Sequence, residues 1–512
     1  MSIDDMEGLE EETRKEIEEL TKVTREKDGN KSYVSSRFLI FNRSSLLKDY
    51  DRGILALRDI VEEDEVYQYA QRILIGAYLY RKKDIKSAFD LLQYVKEVDS
   101  LKNFDFIFLS IASSYISDPE TRDVNRARIA LELCKNTHSY KNYCYSKICD
   151  LLEEEDTKNI GKSYLEFFEL LLEAYELLVI DYSDETKESP ERKLAHYTNT
   201  KVTNILLNKE GKLDSRKYLR LNTISNVNDP SEGELVKILL GKKEDLEYSE
   251  PALDKNLHAF ISCFTFNHDS LNQFRLYGKK DNKEASGISL VFKKNFFQEN
   301  VVKGMSFLSF SSENKNITED REDKSKELKD KRVLSAGTDE NKYLIMRCVY
   351  IDPNSNYIQL AQRNRLTFYR EFNDKEVADK KWQTYQDELK EKTEDFEVYI
   401  DRLKEVYKDI NSQIRVLKNT DGSYSLLLAQ LLLPLKYLIK HSAFQEEQEC
   451  RIIYVTSLND PKVKMVYGEA LYVEYEADVK SHLDKVYIAP AATQYQPYLA
   501  KLLCDTNVKI EL

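Results

Sequence analysis

Hydrophobic positions along the first third of the chain recur at helical spacing. VYQYAQRILIGAYLYRK leads into DIKSAFDLLQYVKEVD, and FDFIFLSIASSYIS into DVNRARIALELCKN, with a polar break inside each pair. Small residues fall at comparable points: Gly76, Ala77 and Ala88 in the first pair, Ala112, Ser113 and Ala127 in the second. Ala77 to Ser113 is 36 positions and Ala88 to Ala127 is 39. A third pair reads from NYCYSKICDLLEEE and KSYLEFFELLLEAYELLVID. The spacing predicts stacked helical hairpins over 45–180. Ahead of them, 6–27 reads as a charged helix broken by DGNKSYVSS, so 1–44 is an N-terminal charged helix and lead-in.

After DYSDETKESPERK, a linker over 181–193, the texture changes. Short β-branched and aromatic runs predict strands in HAFISCFTF (258–266), SGISLVF (286–292), KYLIMRCVYI (342–351), RIIYVTS (451–457), ALYVEYEA (470–477) and KVYIAPA (485–491). Residues 311–343 are heavily charged and read as a loop. Residues 360–440 return to a helical period, a long insertion ending in the apolar helix SLLLAQLLLPLKYLIKH. The fold class is therefore α+β: a helical N-terminal domain, then an α+β domain over 194–512 with a small sheet core.

Composition sharpens this picture in three places. Only 14 Gly and 9 Pro in 512 residues favour helix and exclude a collagen-like or all-β chain. No window approaches the ~18–20 apolar residues of a membrane span. The acidic start MSIDDMEGLEEE is unlike a secretory leader. Seven cysteines without CxxC spacing suggest neither a zinc site nor a disulfide framework, so the expectation is a cytoplasmic protein with free thiols and no membrane partner. The net charge of −13 argues against a surface that holds nucleic acid non-specifically, though one basic groove is compatible with it.

Four clusters in the C-terminal half carry candidate chemistry. In the first, His196, Tyr197 and Thr198 precede the helix-like NTKVTNILLNKEG. A histidine there faces a cleft, and Thr198 or Asn199 caps the helix, turning backbone amides toward an anion; the bland alternative is a histidine satisfying a turn carbonyl. In the second, Asn228, Asp229 and Pro230 form a turn, and Ser231 with Glu234 reads as a capping box, a nearly complete structural explanation. In the third, a strand through Cys263 passes a short helix to Tyr277 and Gly278, a place where a ring face stacks on a planar ligand. With 34 tyrosines in the chain, core packing is the competing reading. In the fourth, Phe444-Gln445-Glu446-Glu447-Gln448-Glu449-Cys450-Arg451 enters a strand, and period two sets Glu447, Glu449 and Arg451 on one face. Two carboxylates beside a guanidinium suit acid–base work or stabilisation of a cationic transition state. A solvated edge-strand face is the alternative. HExxH, GxSxG, P-loop and GxGxxG motifs are absent, which sets aside their chemistries and predicts no metal site.

Taken in order, these clusters resemble the bacterial family called domain of unknown function twenty-nine seventy-one. The matching residues are His196-Tyr197-Thr198, Asn228-Asp229-Pro230-x-Glu232, Cys263-Phe264-Thr265, Phe274-x-x-Tyr277-Gly278 and Phe444-x-x-Glu447-x-Glu449-x-Arg451. Phe stands at 274 and 444 where Trp is commoner, and the 360–440 insertion is unusual. That family is in turn similar to ADP-ribosyltransferases of the DNA-modifying toxin branch. The resemblance implies NAD as substrate, with His196 on a ribose hydroxyl, Tyr197, Thr198, Asn228 and Asp229 around the nucleotide, and Tyr277 on nicotinamide. It implies Glu449, with Glu447 as alternate, as the carboxylate that stabilises an oxocarbenium-like charge; Arg451, by its own charge, keeps the neighbouring carboxylate ionised. The helical pairs resemble tetratricopeptide repeats loosely, without the full consensus; an ordinary helical bundle is the alternative.

Three functions follow as expectations. The first is a toxin or antiphage-defence effector that transfers ADP-ribose from NAD to a nucleic-acid or protein acceptor, or cleaves NAD, while its repeats hold a protein or peptide partner. The second is a non-catalytic nucleotide- or peptide-binding regulator. The third is a nuclease or glycosidase using Glu447 and Glu449.

Overall fold

The computed structural model describes the whole chain except residues 1–2, 65, 95–104, 118–121, 135–139, 181, 183–190, 209–217, 224–232, 234, 242–256, 278–283, 299–343 and 418–421. The predicted charged loop at 311–343, and most of the 181–193 linker, thus lie outside the described residues. The chain divides into two compact units, one over Met1–Thr137 and one over His138–Ser312 with Asn341–Leu512.

The described part of the first unit is helical. After Ile3–Thr21, the expected break around DGNKSYVSS is narrower than read: Gly29 turns the chain at φ +82°, and Asn30–Leu46 is helix again. The first predicted pair is Tyr67–Gly76, continued by the π-helix Ala77–Lys82, then Ile85–Asp90. Lys83 takes the left-handed conformation between them, and Asp84 caps the second helix through Ser87 N–H at 3.0 Å. The second pair is Asp105–Ser117 and Val124–Glu132, capped by Asp123. Ala88, Ala112 and Ala127 are fully buried, as expected of small side chains where helices approach closely.

The third pair, Tyr140–Glu153 and Lys158–Leu178, belongs to the second unit. Its apolar face covers the insertion rather than another repeat. Phe167 meets the ring of Tyr407 on the 42-residue helix Lys375–Val416 at 6.2 Å, Tyr164 donates to the Tyr424 carbonyl at 2.6 Å, and the Tyr175 hydroxyl accepts from Leu435 N–H at 3.1 Å. The division between units therefore falls at 137/138 and not in the 181–193 linker. The described linker residues are themselves tied down: Tyr182 is buried, and its hydroxyl donates to the Arg192 carbonyl at 2.9 Å.

Thirteen strands are described in the second unit: β1 (Ala195–Asn199), β2 (Leu219–Thr223), β3 (His258–Thr265), β4 (Gly287–Phe292), β5 (Ile345–Arg347), β6 (Val349–Ile351), β7 (Ile358–Leu360), β8 (Ile439–His441), β9 (Glu449–Thr456), β10 (Val463–Val466), β11 (Ala470–Tyr475), β12 (Leu483–Ile488) and β13 (Lys509–Glu511). Ten form one largely antiparallel sheet. The run KYLIMRCVYI, expected as a single strand, breaks at Cys348: β5 joins β9 in the large sheet, whereas β6 pairs with β7 and β8 in a three-stranded sheet. β7 and β8 bracket the insertion, so its last segment, read as helix, ends as strand.

The large sheet forks at β3. One edge of β3 pairs with β9 along all eight residues. The other edge is shared: β2 pairs at Phe260 and Ile261, β1 only at Thr265. Beyond β2 the order continues to β11 and β10, and beyond β1 to β4, β12 and β13. Ser262, Cys263 and Phe264 lie between the two leaves, a notch spanning about 13 Å from Ile261 to Thr265 at the rise of an extended strand. No described helix is long and apolar enough to cross a membrane.

Candidate functional site

A cavity of about 590 Å³ opens at this fork. Its lining includes His196, Tyr197 and Thr198 from β1, the β3 edge from Ile261 to Thr265, Tyr277, and Glu447, Glu449 and Arg451. The volume lies within the ~300–1,000 Å³ usual for small-molecule sites. Asn228 and Asp229 lie outside the described residues, so nothing places them here.

β1 turns alternate side chains to opposite faces. The His196 ring bonds through Nδ1 to the Cys263 carbonyl at 2.8 Å, satisfying backbone at the open edge of β3. Burial pushes its pKa down and the carbonyl bond only partly opposes this, so the ring is neutral at pH 7. Neutrality makes Nδ1 the donor and leaves Nε2 as an acceptor. Tyr197 touches the cavity wall, but its phenol end is spent elsewhere. It donates to the Asn267 carbonyl at 2.8 Å, accepts from Ser270 N–H at 2.9 Å, and packs edge-on to Phe274 at 4.9 Å. Its role is to seat the helix Leu271–Tyr277. Asn199, not Thr198, caps the following helix Thr200–Leu207, accepting from Val202 N–H at 2.9 Å. That helix meets the cavity through Val202, Ile205 and Leu206, an apolar flank in place of the expected amide-lined N-terminus.

Glu447, Glu449 and Arg451 converge, although not as one continuous strand face. β9 begins at Glu449, whereas Glu447 closes the 3₁₀ turn Ser442–Glu447. Gln448 between them is left-handed at φ 47°. Its side chain holds that turn, accepting from Gln362 N–H at 2.6 Å and donating to the Gln445 carbonyl at 2.7 Å. Thr265 pins the same turn from β3, donating to the Glu447 carbonyl at 2.6 Å. β9 is flanked by β3 and β5 and all its residues are buried, so the solvated-edge alternative does not describe it.

The cation that draws the two carboxylates together is Lys440, on β8. Its Nζ donates to Glu447 Oε2 at 2.6 Å and to Glu449 Oε2 at 2.5 Å, with the side chain only 3% exposed. Arg451 grips Glu449 from the other side, Nε to Oε1 at 2.7 Å and Nη2 to Oε2 at 3.2 Å, and donates to the Tyr437 carbonyl at 2.7 Å. Burial works against a charged Glu449, but Arg451 and Lys440 outweigh it and hold the carboxyl well below the usual range. Glu447 behaves oppositely: burial, with the neighbouring Glu449 charge, exceeds the pull of Lys440 and raises its pKa. Its Oε1 accepts from Tyr277 at 3.0 Å, and Tyr277, 37% exposed, is the more open member of the group.

Two carboxylates that share one ammonium thus carry different assignments, an anion at Glu449 and a group of raised pKa at Glu447. Such a pair can stabilise developing positive charge and move a proton at adjacent points. Cys263 faces Arg451 across the β3–β9 register and lines the same wall, but burial pushes its thiol up, so it is no ready nucleophile.

Lys440 and Arg220, both lining the cavity, escape the sequence reading. Lys440 sits in what reads as the end of an apolar helix. Arg220 lies in LRLNT, whose alternation of buried Leu with polar residues is the signal that marks β2. Comparison of the chain with protein-family models, with curated proteins and with solved structures finds no match.

Proposed function

We propose that the cavity binds NAD and cleaves its nicotinamide–ribose bond, passing ADP-ribose to a macromolecular acceptor or to water. One observation carries this reading: His196, Tyr277 and the Glu447–Glu449 pair, drawn from segments up to 253 positions apart, line a single cavity. The neutral His196 accepts a ribose hydroxyl through Nε2, and the half-exposed Tyr277 ring lies against nicotinamide. As the C–N bond breaks, its electron pair leaves with nicotinamide and positive charge develops on the ribose. Glu449, locked as an anion, stabilises that charge. Glu447 takes the proton of the incoming nucleophile as the new bond to the ribose carbon forms. In this reading the helical unit binds a protein or peptide partner, and the chain is a bacterial toxin or antiphage effector.

The test is nicotinamide release from NAD by the purified full chain. Glu447→Gln is the milder variant: it leaves Lys440 and Arg451 both bonded to Glu449, whereas Glu449→Gln removes the carboxylate that the two cations share, a defect of about 3–5 kcal/mol. The expected result is turnover in the wild type, reduced on the order of 10²–10⁴-fold in Glu447→Gln, with a smaller fall in melting temperature than Glu449→Gln shows. Absence of both turnover and any NAD-induced rise in melting temperature would overturn the reading. A thermal rise without turnover favours the non-catalytic nucleotide-binding alternative.

A further inference from the structure

The charged groups on the cavity wall divide into two sets. Lys440, Arg451, Glu447 and Glu449 answer one another, two cations against two carboxylates. Arg220 stands apart from them on β2. Glu474 lies directly across from it in the β2–β11 register, but Glu474 gives its carboxylate to Lys464 at 2.6 Å. Among the described residues no carboxylate pairs with Arg220. Its guanidinium lies instead over the Tyr472 ring, 3.8 Å from the centroid, and Nη2 donates to the Tyr472 hydroxyl at 3.1 Å. A half-buried guanidinium held against a ring, with donors left over and no counter-ion among the described residues, is arranged in advance for an anion.

The fork tells where that anion lies. β2 pairs with β3 through Asn222 and Ile261 and then diverges. Two residues further along the antiparallel register, Arg220 reaches the level of Cys263, whose carbonyl holds His196. Arg220 and His196 thus sit on opposite leaves at the same level of the notch. Asn222, on the same face of β2 as Arg220, also lines the cavity, and its side chain has no partner among the described residues. The ligand that fits has a multiply charged anionic group at the β2 leaf and a hydroxyl-rich or cationic part toward the two carboxylates.

We infer that Arg220 is a phosphate-binding residue, taking the pyrophosphate of a dinucleotide between the β2 and β1 leaves. The ribose end of this placement rests on the NAD reading above; the anion end rests on Arg220 alone. Thermal shift and calorimetry of the full chain with NAD and, separately, with inorganic pyrophosphate test it in wild type, Arg220→Met and Arg220→Lys. Each shift is measured from the variant's own unliganded melting temperature, which removes any loss of packing on Tyr472.

The expected result is that both probes stabilise the wild type. Arg220→Met should lose the pyrophosphate response and bind NAD roughly ten- to a hundredfold more weakly. Arg220→Lys should keep part of each response, since it retains charge without the planar fork. An Arg220-dependent response to pyrophosphate with none to NAD would uphold the phosphate site and reject the NAD reading. NAD binding that is equal in wild type and Arg220→Met would overturn the phosphate site and leave the NAD reading standing. No response to either probe would overturn both.

Discussion

Lys440 decides the chemistry available to the two glutamates. Without its ammonium, the Glu447 carboxylate would face burial and the Glu449 charge with the Tyr277 hydroxyl as its remaining donor among the described residues, and its proton affinity would rise. On the proposed reading Glu447 acts as a base only when ionised, so turnover should rise with pH through its pKa. In Lys440→Met the acid limb of nicotinamide release is expected to move to higher pH by a unit or more, with Lys440→Arg restoring its position. An unmoved limb with a uniformly lower rate would reduce Lys440 to a packing role. His268 offers a separate residue-scale test. It is buried, donates through Nε2 to the Lys193 carbonyl at 2.6 Å, and is pushed down to about 3 by burial and by the nearby charge of Arg192. Its unfolded form takes up a proton near 6.5. Between those values the unfolded chain binds more protons, so stability is full above pH 6.5 and is lost as pH falls toward 3. His268→Gln is expected to flatten the acid limb of unfolding free energy, removing up to about 1.4 kcal/mol per pH unit in that window. Chemical denaturation at pH 7 and pH 5 measures it.

At the scale of elements, period and composition located most strands but not their partners. HAFISCFTF and SGISLVF become β3 and β4 nearly as read, because continuous apolar runs mark strands buried on both faces. KYLIMRCVYI is equally apolar, yet two sheets share it. Cys348 is the crossing point, its N–H bonded to the Glu449 carbonyl and its carbonyl to Ala361 N–H. Nothing local distinguishes one long strand from two short ones that meet different neighbours. The same limit hid Lys440: LPLKYLIKH follows an apolar helix and continues its pattern, and only pairing with β6 draws Ile439–His441 into a strand. Glu449 and Arg451, in contrast, were legible as a pair, because spacing of two on a strand puts both on one face whatever the strand pairs with. Glu447 was placed on that face by the same rule. It reaches the site instead because Gln448 turns left-handed.

For the whole molecule, the helices of the third pair mark the difference between a repeat and a core. Their spacing continues the pattern of the first unit, but their buried faces meet Lys375–Val416 and the segment after it. A fragment starting at His138 is accordingly expected to unfold cooperatively, and one starting at residue 194 to lose that cooperativity, since it strips the cover from Tyr407 and Leu435. Circular dichroism melts of the two fragments check this; equal cooperativity would restore the linker as the true boundary. What the sequence alone determined is what depends on neighbours along the chain: the helical texture of the first unit, the strand-forming runs of the second, and the Glu449–Arg451 alignment. The tertiary structure decided which strands meet, the fork of the sheet at β3, and the arrival of Lys440 and Arg220 at one cavity. Pairing and burial set those contacts, across separations from a few positions to about two hundred, and no local period encodes them.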